Sequence, residues 1–130
     1  MAAFVATVRN TMLDWLTGNT TPAAVGTRYI TIFNGDPQGA GSEVISTITG
    51  SANRINMTAA VPAAIAGSAT SNADITFTLN AAGSATVNYV AEYDAITGGN
   101  LMASAAVVPK SITAGDSLKI LSGNLTFQIT

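Results

Sequence analysis

From Thr86 to Thr130 apolar and polar positions alternate with a period of two, the pattern of strands with one face covered. Val87, Tyr89, Ala91 and Tyr93 alternate with Asn88, Val90, Glu92 and Asp94, which predicts a strand whose tyrosines point inward. Residues 94–100, with Gly98 and Gly99 adjacent, tolerate positive φ and predict a chain reversal. Leu101, Ala103, Ala105 and Val107 line one face of the return strand, and Pro109, which cannot donate to a ladder, is expected to end it. Further reversals at Thr113–Asp116 and Ser122–Asn124 frame Leu118–Leu121 and a last strand with Leu125, Phe127 and Ile129 inward. Together these predict a four-stranded meander.

The other end of the chain carries a different period. At 100° per residue Phe4, Val5, Val8, Met12, Trp15 and Leu16 fall within one arc, so residues 2–16 read as an amphipathic helix with Gly18 just beyond it. Two placements suit it: laid over the sheet, or extended as an arm onto another subunit. Residues 20–24 form a linker around Pro22. Arg28–Phe33 is β-branched and aromatic, a strand. Residues 34–41 make a Gly-rich loop, Glu43–Ile48 a short edge strand, and 54–59 another strand alternating Ile55, Met57 and Ala59. Residues 60–73, rich in Ala, Ser and Gly, read as extended against a neighbour or as a flexible loop. Asp74–Leu79 is a strand with Ile75, Phe77 and Leu79 inward, and residues 80–84 a turn.

Eight or nine short strands between turn residues, plus one helix, predict a mainly β fold: an antiparallel β-sandwich with an N-terminal α-helix. At 130 residues the chain is read as a single domain, helix over 1–18 and strands over 27–130. Such a length can bury roughly two-thirds of its unfolded surface without staples. Only 9% of residues are charged, so Thr, Ser, Asn and Gln carry the polar surface, which suits a protein covered by its neighbours. The net charge is −2 and the cations are scattered, so no basic stripe for nucleic acid is predicted. No apolar run approaches the ~20 residues of a membrane helix, and no basic region precedes the first apolar stretch. Synthesis and assembly in the cytoplasm are therefore expected.

Cys and His are both absent, which removes thiol nucleophiles, His-based dyads and the usual zinc and copper ligands. Glu92 and Asp94, two apart on a strand, would lie roughly 6–7 Å apart, a spacing glycoside hydrolases use. The competing reading places Glu92 on a polar face and Asp94 at the head of a turn, accepting backbone N–H groups. Asp36 and Glu43 offer oxygen ligands for calcium, without EF-hand spacing. Lys110 and Lys119 are assigned to solvated faces or interfaces. Trp15, Tyr29, Tyr89 and Tyr93 are the aromatics a sugar platform would need. The expectation is no catalytic residue, no cofactor site and no metal site.

Two stretches carry a resemblance. YVAEYDAITGGNLM (residues 89–102) and KSITAGDSLKILSGNLTFQI (110–129) resemble segments of small tailed-bacteriophage virion proteins, the group usually labelled tail-fibre or minor-tail proteins. The order continues upstream: a helix with Leu13-Asp14, then RYITIFNGDP, a Gly-rich loop into Glu43-Val44, and Asn53-Arg54 before a strand. The Ala-rich 60–73 segment and Glu92, where a small residue is expected, depart from the pattern. The resemblance implies a non-enzymatic virion protein that is a homo-oligomer contacting the major capsid protein or tail components, without nucleic acid or membrane. A fibre must project, usually through repeats or a coiled coil, and this chain has neither. Capsid decoration (a cement protein bridging shell subunits) is therefore the first expectation. A tail-fibre or collar module, binding a host receptor or glycan, is the alternative.

Overall fold

The computed structural model describes residues 3–23 and 26–128. Nine strands lie among them: β1 (Ala3–Phe4), β2 (Tyr29–Phe33), β3 (Ile55–Asn56), β4 (Ser68–Thr70), β5 (Ile75–Phe77), β6 (Ala85–Tyr93), β7 (Leu101–Ile112), β8 (Leu118–Ile120) and β9 (Thr126–Gln128). Helix α1 (Ala6–Leu16) follows β1, and α2 (Ile45–Thr49) follows β2. An antiparallel sheet in the order β1-β7-β6-β2-β3 faces two ribbons, β4-β9 and β5-β8. The fold is mainly β, as the alternation predicts. No helix among the described residues is long and apolar enough to cross a membrane.

The core fills the space between sheet and ribbons. Ile30 and Ile32 of β2, Val90 of β6 and Ala103 of β7 meet Ile75, Phe77, Leu125 and Phe127 from the other side. Ile45 and Ile48 of α2 close one edge at 2% and 0% exposure. A short edge strand is expected over Glu43–Ile48, but only Glu43 pairs, opposite Phe33. The chain then winds into α2 because a helix brings Val44, Ile45 and Ile48 onto one buried face. Gly50, at φ 74°, ends it in the left-handed conformation. The strand expected over 54–59 shrinks to β3, and a 3-10 turn at Thr58–Ala60 takes over. In the Ala-rich segment, β4 pairs with β9.

Three further expectations need correction. The long β6–β7 hairpin forms, but β8 and β9 leave the sheet to pair with β5 and β4, so the last strands are not one meander. Tyr29, Tyr89 and Tyr93 do not face the core. β6 shifts register between Val87 and Tyr89, so Val87 and Val90 point inward while Tyr89, Ala91 and Tyr93 join Thr31 and Phe33 on the other face. Pro109 does not end β7 either. Residues 107–109 of β7 stand against Asn88 alone in that irregularity, where no ladder donor is required, and pairing resumes at Lys110. Ile129, expected inward, lies outside the described residues.

Phe77, at 1% exposure, anchors the ribbon side of the core. Phe77→Ala should cost about 3–5 kcal/mol in urea unfolding with an unchanged denaturant slope. A loss below about 1 kcal/mol would mean that the ribbons do not pack on the sheet as described.

Candidate interface: a clamped hairpin tip and an open groove

The sheet face opposite the core holds a half-buried ion pair between Arg54 and Glu43. Arg54, placed just before β3, is 7% exposed and spans from Glu43 to the β6–β7 turn. Its Nε and Nη2 donate to the two carboxylate oxygens of Glu43 at 2.8 and 3.0 Å. Its Nη1 donates to the carbonyls of Ala95 (3.1 Å) and Gly98. The guanidinium lies 3.6 Å from the centre of the Tyr93 ring, which stacks on Phe33. Thr31 donates its hydroxyl to the same Glu43 carboxylate. Three chain segments are thus tied by one cation. The pattern of the chain offers Glu43 a chemical role only as a calcium ligand and gives the Arg54 side chain none; in so sparsely charged a chain, opposite-sign pairs are the available signal.

The turn that Arg54 braces is also tied from within. Asp94 accepts the Asn100 N–H at 2.7 Å and the Asn100 amide at 2.9 Å. Those bonds, the backbone one first, hold its carboxyl below the usual aspartate range. Gly99 sits at φ +72°, and an added Cβ would come within 2.4 Å of the Asp94 carboxylate. Ile96 and residues 97–100 nevertheless stand exposed. The tip is fixed in shape and open to contact.

Glu92 and Asp94 therefore take separate work. Glu92 is on the core face, 8% exposed, with Arg28 at 3.3 Å. Burial pushes its carboxyl up, and the Arg28 charge only partly counters this. Asp94 caps the turn, as the competing reading expects, but Glu92 is not on the polar face that reading gives it, because it pairs with Ile30 on the core side. In the 34–42 loop Asp36 accepts the Gln38 N–H at 2.9 Å with its side chain, and the Gly39 and Gly41 N–H groups with its carbonyl. Lys119 meets Asp74 at 3.6 Å on an exposed face, and Lys110 is exposed.

A large opening lies between α1 and the body, about 1080 Å³. Val8, Met12 and Trp15 form its helical wall; Met57, Val61, Ala69 and Phe127 form the far wall; Arg28, Glu92 and Met102 lie between them. β1 pins the chain to β7, and the Val5 N–H donates to the Met102 carbonyl at 2.9 Å. The chain then lifts off as α1. None of α1's residues, all of them described, is buried; Trp15 is 54% and Leu16 71% exposed. The helix does not lie down on the sheet. It also lacks a side-chain cap at Val5 and any acid in its first turn among the described residues, so little of its stability is its own.

A family model described as "Podophage GP4 fiber I protein gp80" matches residues 3–128. This chain belongs to that phage fibre family. No curated protein matches it. Membership makes it a phage virion structural protein, in line with the resemblance carried by residues 89–102 and 110–129.

Arg54→Ala should cost about 2–4 kcal/mol, since it strands the Glu43 carboxylate, and should speed amide hydrogen exchange across residues 95–100. Unchanged exchange there would contradict the clamp. Acid should expose the same pair. Burial raises the Glu43 carboxyl, but the Arg54 and Thr31 hydrogen bonds and the Arg54 charge outweigh it and leave it below its ordinary 4.5. Its ionised form contributes stability above that value, lost as pH falls through the lower folded value. Glu92, shifted up, works the other way, since its protonation in the folded state begins above 4.5 and favours folding. Glu43→Gln should lower stability at neutral pH and flatten the acid loss below about pH 4.5 in urea midpoints; an equally steep loss would assign it elsewhere.

Proposed function

We propose that this chain is a non-enzymatic structural component of a tailed-phage fibre, present as a homo-oligomer and joined to other tail components. The family match over residues 3–128 carries the reading. Its description names a fibre, which fits the tail-fibre alternative better than capsid decoration. The absence of repeats and coiled coil argues only that this domain is a module of a projecting structure, not its shaft.

The side-chain chemistry supports a structural role. Glu92 is committed to Arg28, and Asp94 to the Asn100 turn. Their remaining function is to hold shape. The chain assembles in the host cytoplasm and resides in the virion, with the 94–100 tip available to a neighbouring component or to the host surface.

Gold-labelled antibody on purified particles should mark the fibres. Label spread over the capsid lattice would restore the decoration reading. A Glu92→Gln/Asp94→Asn variant that remains folded by circular dichroism should leave host polysaccharide breakdown by particles unchanged; its loss would overturn the non-enzymatic reading.

A further inference from the structure

We infer that the groove between α1 and the sheet is filled by α1 of a second copy of this chain, which enters with its outer stripe, Arg9, Leu13 and Leu16. The inference deepens the fibre reading and rests on it only for the claim that copies are held together in the virion.

Surface area points to a missing partner. A compact monomer of 13.1 kDa exposes about 6,400 Å². This chain exposes 7247 Å², more than a compact monomer of its mass does. Part of the surplus is the helix itself. At 100° per residue, Leu16, Arg9 and Leu13 form a stripe about 100° round α1 from Val8, Met12 and Trp15, which wall the groove, so the apolar arc runs on past that wall. Leu13 and Leu16 are 58% and 71% exposed. An apolar arc wider than the groove wall is stable when the whole of it is covered. The chain's own body can cover only the side that faces the groove.

Charge selects the occupant. The groove holds Glu92 and Asp94 against the single cation Arg28, a net charge of −1. The outer stripe is apolar with one cation, Arg9, which makes no ion pair among the described residues. Asp14, the acid of α1, lies off that stripe. A second copy therefore supplies leucines to an apolar groove and a positive charge to an acidic one. Because the stripe of one copy meets the groove of the next, the contact is head-to-tail, and repetition closes a ring if the rotation permits.

The chain has no cysteine, so cross-links can be placed at will. Leu16→Cys and Ala69→Cys chains are prepared separately, mixed and mildly oxidised. Disulfides should join unlike chains in preference to like ones, and light scattering of the unmodified chain should give a multiple of 13.1 kDa. Leu13→Glu/Leu16→Glu should shift that mass to the monomer with circular dichroism unchanged. A monomeric native chain, unlike-chain links no more frequent than like-chain ones, or an assembly indifferent to the double Glu variant would overturn the inference. A monomer still found in purified fibres would overturn this contact and leave the fibre reading intact. An assembling chain absent from particles would do the reverse.

Discussion

Covering apolar surface is the constraint on which the rest of this structure depends. Nearly half the chain is hydrophobic and 9% is charged, so the molecule has few ways to make surface that water favours. The sheet and its two ribbons bury one set of side chains completely, from Ile30 and Ile32 to Phe77. α1 is left outside that arrangement. It is tethered by two residues of β1 and stands over a gap that exposes Trp15, with Leu13 and Leu16 exposed beside it. An isolated helix of 11 residues with neither a side-chain cap nor an acid in its first turn is marginal in water. The energetic logic of the fold thus runs outward, from a closed core to an edge that is completed by another surface.

The other face of the sheet solves a different problem. Thr31, Tyr93 and Ser104 put polar atoms against it, and such a face cannot be closed by packing alone. Arg54 closes it by satisfying a carboxylate and two carbonyls while its plane covers the Tyr93 ring. Hydrogen bonds to a charged group are stronger than neutral ones, and removing one partner of a buried pair costs more than the pair contributes. The same cation fixes the hairpin tip at residues 94–100. Sheet and tip therefore share one support, which lets an exposed loop keep a defined shape without a core of its own.

Much of the fold is legible in the sequence, and the reasons for the rest are specific. Strand existence follows from alternation: β2, β5, β6, β7 and β9 stand where the pattern puts them. Strand partners do not, because Leu125 and Phe127 face inward whether β9 pairs with β8 or, as it does, with β4. Facing fails where the period breaks. The shift after Val87 turns Tyr89, Ala91 and Tyr93 to the opposite side, and nothing in Val-Asn-Tyr announces it. For Ile45–Thr49 two periods compete, and the tertiary gain of burying Ile45 and Ile48 decides for helix. Of the candidate site, Asp94's role at the turn was readable from its neighbours Gly98, Gly99 and Asn100. The groove was not, since it arises from where α1 fails to pack. Its residues show only that the helix has a face in need of cover, which is why both placements stay open until the coordinates choose.

Self-association driven by apolar burial would complete this fold. Calorimetric dilution of the chain at several temperatures measures this most directly, because burying apolar surface gives a negative heat-capacity change whatever the sign of the enthalpy. If the groove and helix stripe of successive copies cover one another, the heat-capacity change of association should be negative and on the order of a few hundred cal/mol/K per contact. A change near zero, or no heat of dilution at any temperature, would contradict it.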